Sequence, residues 1–352
     1  MKKRSIAILT SLLMIASLGI TGCGGTEDGT DVAGKVYEMK IAHLAAESDP
    51  LNVGYHWFAD LIEERSDGRI TVQIFANKAI SNSDDEQAEM IRGDMIQMCS
   101  TPSYTLAAMN SDLMDFYIFD LPYMFRTDEE IWAFADSEIG LEMREQLLAE
   151  SGGIRAYGAF PIGWVKASSN EKEIKTPADL AKLKIRTTTS EFYMGTMAAF
   201  GANPTPVAYG EVYTALQQGT VDGMMTATSL YASDRFYEVQ KFMGAINPFA
   251  ITHYPIISDT FYQSLPDDLK AIFDETMEEY VVYMRELEKQ AEIDAINTLR
   301  ENGMIVTEYN DAEKQLFINA ALPLWDEKAD VVGGIEVVEA ANAFLEDFRA
   351  NN

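Results

Sequence analysis

The side chain in this sequence with the clearest chemistry is a cation at the end of a short apolar stretch. Lys184-Ile185-Arg186-Thr187-Thr188-Thr189 runs from a strand-like segment into a polar loop. Ligands of open α/β sheets collect at the carboxyl ends of strands. A guanidinium placed there can grip a carboxylate through two parallel N–H bonds. Arg186 is therefore a candidate carboxylate clamp, with a surface or lobe-locking ion pair as the competing reading. Further on, Gly201-Ala202-Asn203-Pro204-Thr205-Pro206-Val207-Ala208-Tyr209 leads into a helix. That path turns Tyr209 toward the same strand ends, where its ring can lie flat on a ligand.

Catalysis is poorly provided for. His43, His56 and His253 are widely spaced and carry no partner motif. No HExxH, GxSxG, Walker-type glycine loop or CxxC pair occurs. The many carboxylates are dispersed, so no acid/base couple stands out. Asp84-Asp85-Glu86 reads as the capping run of a helix in preference to a metal site. No catalytic residue, metal or cofactor is expected.

Charge sharpens the problem that a carboxylate site must solve. The 352 residues carry a formal charge of −29, which argues against nucleic acid and anionic membrane surfaces as partners. An anion site in such a chain needs a local cation strong enough to overcome the global field. The start, Met1-Lys2-Lys3-Arg4 followed by an apolar run from Ile6 to Ile20, has the form of a secretory signal. That run is short for a membrane span, which takes roughly 20 apolar residues. Ile20-Thr21-Gly22-Cys23 looks like a bacterial lipobox, whose cleavage leaves Cys23 as a lipidated first residue. Such a lipid anchors the chain to a membrane without spanning it. Only Cys99 remains afterwards, so the mature chain has no internal disulfide and relies on its core.

The elements that must hold Arg186 and Tyr209 follow from hydrophobic periodicity. Residues 24–35 are small and polar and read as a flexible tether. Tyr37 to Ala42 alternates like a strand. Trp57, Phe58, Leu61 and Ile62 recur at helical spacing up to a stop at Gly68, and Ile70 to Phe75 is a second strand. A helix end, a glycine and an apolar strand occur at Ala88 to Met98 and again at Thr214 to Met224, with Gly93 and Gly219 at the left-handed position. That repetition suggests two similar lobes. Residues 267–302 read as one helix of about 35 residues, on the order of 50 Å long. Met304 to Val306 is a late strand, and 311–328 and 335–350 are closing helices.

Five ordered segments resemble the substrate-binding subunits of TRAP transporters, the DctP-type receptors. They are Leu183-Lys184-Ile185-Arg186, Gly201-Ala202-Asn203-Pro204-Thr205-Pro206, Glu211-Val212-Tyr213-Thr214-Ala215-Leu216-Gln217, Val221-Asp222-Gly223 and Phe236-Tyr237-Glu238-Val239-Gln240-Lys241. Weaker similarity covers most of the mature chain, including Leu121-Pro122-Tyr123. The resemblance implies a two-lobed α/β fold, type II-like among periplasmic binding proteins, with crossing strands and a long bracing helix. It further implies a solute closed between the lobes and its carboxylate clamped by Arg186.

The same resemblance places further residues at the site. Lys166 stands where the family commonly has a second arginine, so charge is kept but the planar fork is lost. Thr226 replaces an amide that often bonds the carboxylate. Thr101 and Leu44 stand where sialic-acid receptors of the family have a carboxylate and an asparagine. Leu44, Trp164, Tyr209 and Met225 would wall a rather apolar pocket. The expected solute is a small or apolar monocarboxylate, aromatic ones included, ahead of a dicarboxylate or uronate.

These readings divide the chain into a signal peptide (1–22), a lipidated tether (23–35), a first lobe (36–160 plus about 248–300) and a second lobe (161–247 plus about 304–352). The expected activity is extracytoplasmic, lipid-anchored capture of a small organic anion and its delivery to a TRAP permease, without catalysis. The alternatives are a binding lipoprotein of an ATP-driven importer and a surface lipoprotein enzyme.

Overall fold

The computed structural model describes residues 34–352. The signal segment and Cys23 lie outside the described residues. Eleven strands are found within them: β1 (Tyr37–Ala42), β2 (Ile70–Phe75), β3 (Met98–Pro102), β4 (Ile154–Ala156), β5 (Phe160–Ser169), β6 (Lys184–Thr187), β7 (Asn203–Pro206), β8 (Gly223–Ala227), β9 (Phe242–Gly244), β10 (Ala250–Ser258) and β11 (Ile305–Thr307). They pair in the order β2-β1-β3-β10-β5-β8-β6-β7, with β4 on β10, β9 on β5 and β11 on β9.

Each end of this array is parallel. β1 pairs in parallel with β2 and β3, and β6 does so with β7 and β8. The two middle strands run antiparallel to each other and to their outer neighbours. β5 is shared: Phe160, Pro161 and Trp164 pair with β10, whereas Val165, Lys166 and Ala167 pair with β8. Two parallel α/β halves joined by crossing strands are thus the two-lobed fold that the resemblance implied.

The helices begin and end where side-chain chemistry allows. Helix Pro50–Arg65 is capped by Asp49, which accepts from the Leu51 N–H, and proline opens it where a donor is not missed. Ser83 caps helix Asp84–Arg92, and the acids of its first turn complement the dipole. Gly219 takes the left-handed position at φ +70°, as expected. Gly93 does not: it stays right-handed at φ −84°, and Asp94 adopts φ +53° in its place. An aspartate tolerates that region better than most side chains.

The long helix runs Asp267–Glu301, 35 residues. Its first half packs on helix Pro50–Arg65 through Tyr280 stacked on Tyr55 and Phe273 edge-on to Phe58. A Cβ on Gly54 would meet the Met284 sulfur at 2.1 Å, so glycine permits this close approach. Its far end buries Leu299 with Val212, Leu216 and Met304, so one helix braces both halves. The expected helix 311–328 is broken into Asp311–Ala321 and Leu324–Glu327 by Pro323, which has no N–H to offer. Phe317 packs on Phe200, but Phe344 of the last helix, Ile335–Asn351, packs on Phe134. Arg349 adds a two-pronged bond to Glu130 there, so the end of the chain returns to helix Asp128–Asp136. Cys99 is buried and free. No described helix is long and apolar enough to cross a membrane.

Candidate functional site

The placement of Arg186 depends on β6 lying against β8. Asp222 clips the two together: its backbone N–H donates to the Lys184 carbonyl, and its carboxylate accepts from the Lys184 N–H, each at 2.8 Å. Gly223 is required at the next position. A Cβ there would lie 1.9 Å from the Ser168 carbonyl oxygen, so only glycine lets β8 approach β5. β7 is the outer edge of the sheet, where Pro204 and Pro206 cost no internal ladder bond.

Arg186 is 3% exposed. Its Nε donates to the Val207 carbonyl at 2.9 Å, which fixes the plane of the guanidinium. The Tyr209 ring lies beside it, 5.7 Å from Cζ to the ring centroid. Among the described residues Arg186 has no ion-pair partner. Burial lowers its pKa from the ordinary arginine range, with Tyr104 and Tyr209 opposing the shift, and an arginine stays charged regardless. A desolvated guanidinium with free terminal nitrogens is a strong receptor for a carboxylate.

A cavity of about 270 Å³ opens on this group. Its lining includes Arg186, Tyr209, Met225 and Thr226 from the β6–β8 half of the chain and His43, Leu44, Asp49 and Asp84 from the β1–β3 half. The structure thus brings together five of the residues expected from the sequence: Arg186, Tyr209, Thr226, Met225 and Leu44. Arg186 is the only arginine or lysine in the lining.

Lys166, Trp164 and Thr101 are placed elsewhere. Lys166 Nζ lies 2.7 Å from Glu292 Oε1 of the long helix and also reaches the Trp164 carbonyl. The second cation is therefore committed to a carboxylate of the protein. The Trp164 indole donates to Asp128 at 2.8 Å, and its backbone N–H donates to Glu292. Thr101 is sealed in the β3–β10 ladder opposite Tyr254 and is fully buried. For Lys166 and Trp164 a partner distant in sequence decides the direction of the side chain.

Of the lining from the β1–β3 half, the sequence reading found Leu44 and missed His43, Asp49 and Asp84. His43 donates through Nε2 to the Asn52 side-chain oxygen at 3.1 Å, while Nδ1 has no partner; burial pushes its pKa down to about 4. His253 is likewise lowered by burial, to about 3. Both rings are neutral at ordinary pH. Asp84 was assigned to a helix start, which is correct, but its carboxyl also faces the cavity. It forms no ion pair with any described residue, Arg186 included. An acid in the first turn of a helix that follows a sheet strand is a signal that could have pointed there.

The model of the bacterial extracellular solute-binding proteins, family 7, matches residues 41–330. The C4-dicarboxylate-binding periplasmic protein DctP of Rhodobacter capsulatus is 28% identical over 87% of this chain and 91% of its own. The 2,3-diketo-L-gulonate-binding periplasmic protein YiaO of Escherichia coli K12 is 26% identical over 80% of this chain and 84% of its own. Among solved structures, a TRAP periplasmic solute-binding protein from Shewanella oneidensis with bound succinate superposes with a TM-score of 0.81 at 26% identity, covering 89% of this chain and 100% of that one.

Proposed function

The chain belongs to the bacterial extracellular solute-binding proteins of family 7, and on that premise we propose that Arg186 fixes the carboxylate of its solute between the lobes. It is a TRAP-type receptor for a small organic acid. The observation that carries the role of Arg186 is its state: buried, charged, facing the cavity and without an ion-pair partner among the described residues. Taking a charge out of water is costly unless something compensates it. A bound carboxylate would do so, and it would let an acidic protein hold an anion through one local cation.

Tyr209 then supplies a flat ring beside the clamp and Thr226 a hydroxyl, with Leu44 and Met225 as apolar walls. Lys166, Trp164 and Thr101 act behind this surface; Lys166 and Trp164 hold β5 to the long helix through Glu292. The solute we propose is a monocarboxylate with an apolar body. Contacts from both walls favour the closed arrangement of the lobes. The lobes we assign are residues 36–160 with about 248–300, and 161–247 with about 304–352, the last helix lying on the first lobe. Lipidation at Cys23 would keep the receptor at the membrane, and a TRAP permease would receive the solute without any chemical step in this chain.

Thermal shift against a panel of organic acids, followed by calorimetry on Arg186→Ala, tests the reading. A ligand at hundredfold excess over its Kd stabilises by about 2.7 kcal/mol. Arg186→Ala should abolish binding while the fold persists. Affinity retained within about threefold would make Arg186 structural.

A further inference from the structure

The cavity holds more acidic side chains than its one guanidinium can pair. Asp49, Asp84 and Asp85 line it, and Arg186 is the only arginine or lysine that does. Neither histidine contributes a positive charge, since burial holds both neutral. Adding the carboxylate of a solute uses up the charge of Arg186 and leaves the acids uncompensated. A dicarboxylate would bring a second negative group against them, where low dielectric makes repulsion costly.

Arg186 and Asp84 also fail to satisfy each other. Both face the same space, Arg186 is 3% exposed, and neither has an ion-pair partner among the described residues. Yet the field of Arg186 reaches Asp84 and acts to lower its pKa. A guanidinium and a carboxyl that share one cavity without pairing leave a place for a cation beside the acid and for an anion beside the arginine. Asp49 is a further acid of the lining: its Oδ1 caps helix Pro50–Arg65, and its buried Oδ2 has no hydrogen-bond partner. Ile162, Leu230 and Ile251 are apolar members of the lining.

We infer that the captured solute carries a protonated nitrogen as well as its carboxylate, the nitrogen seated against Asp84 and the carboxylate against Arg186. This rests on the reading of Arg186 as the partner of the carboxylate. A zwitterion with an aliphatic body satisfies both groups at once and adds no net charge to an acidic site. A hydroxyl at the same place could donate a hydrogen bond, but it would bring no positive charge to the acid. Burial, with Asp85 beside it, pushes the Asp84 carboxyl up to about 7. That is the behaviour of an acid short of a nearby cation, and a bound ammonium would restore its charge.

Calorimetry at neutral pH tests this with straight-chain fatty acids from acetate to hexanoate, set against their amino, hydroxy and dicarboxylic counterparts. The best binder should be an amino acid, tighter than its plain, hydroxy and dicarboxylic counterparts by about tenfold or more. Asp84→Asn should collapse that ratio to about twofold, with cooperative melting retained as the check on folding. A plain, hydroxy or dicarboxylic acid that matches its amino counterpart, while still depending on Arg186, overturns the zwitterion and leaves the carboxylate receptor standing. No binding by any member overturns both.

Discussion

Lys166 Nζ and Glu292 Oε1 are 2.7 Å apart, with the two side chains 2% and 17% exposed. The pair ties β5, at the crossing of the two lobes, to the long helix. Glu292 is further held by the Trp164 N–H and the Thr228 hydroxyl, so its charge is well supplied with donors.

Removing one member of such a pair leaves an uncompensated charge. Lys166→Met should cost about 3–5 kcal/mol of stability, measured by urea unfolding. The double change Lys166→Met with Glu292→Leu should recover most of that loss. Carboxylate affinity of the double variant should stay within about threefold of wild type. A large loss of affinity in a well-folded double variant would return Lys166 to the ligand.

Gly223 is the most sterically constrained position next to the site. Gly223→Ala forces a Cβ onto the Ser168 carbonyl, 1.9 Å away, and the obstacle is backbone that cannot swing aside. The expected cost is about 3 kcal/mol or more by urea unfolding. Displacing β8 also displaces β6, so affinity should fall along with stability. Unchanged affinity would mean that Arg186 is positioned independently of this strand pair.

Tyr209 offers two separable features. Its hydroxyl bonds Asp234, and its ring flanks the guanidinium. Tyr209→Phe should change affinity by less than about threefold, whereas Tyr209→Ala should weaken it by about tenfold through loss of the ring. Equal effects of the two in calorimetry would show that the hydroxyl bond is what matters.

The pH dependence of stability has a definite sign. Burial pushes Asp49, Asp115 and Asp128 up to about 6 and Asp84 up to about 7. An unfolded aspartate titrates near about 3.9, so the native state holds extra protons between about pH 4 and 7 and loses stability as pH rises through that window. The neutral histidines act oppositely. Lowered to about 4 and about 3, they cost stability as pH falls below their unfolded value of about 6.5. Four carboxyls outweigh two imidazoles. Without ligand, the thermal midpoint should therefore be higher near pH 5.5 than near pH 7.5 by calorimetric scanning. The reverse order would mean that these acids are ionised in the folded protein.

Much of the frame could be read from local pattern, because each feature depended on neighbours in sequence. The strands at Tyr37 and Ile70, the 35-residue helix and the glycine stop at Gly219 all follow from periodicity and cap chemistry. Arg186 could be read because a strand end and a cation coincide. Lys166 could not, since its direction is set by Glu292, whose distance in sequence hides the pairing. Asp84 was recognised as a helix start, but a capping run looks the same whether it faces solvent or a cavity. Gly93 shows the limit of residue type alone: the left-handed turn came one residue later, on Asp94.

The sharing of β5 between the two halves has a bearing on how the molecule comes apart. A lobe that melted alone would strip the other of a strand edge and expose its unpaired N–H and C=O groups. It would also peel half of a continuous 35-residue helix from its bed. Each partial state therefore bears the losses of both halves, so the two lobes form a single cooperative unit against heat and denaturant. A bend that opened the lobes by small rotations within intact strands would keep these pairings, whereas local melting would forfeit them.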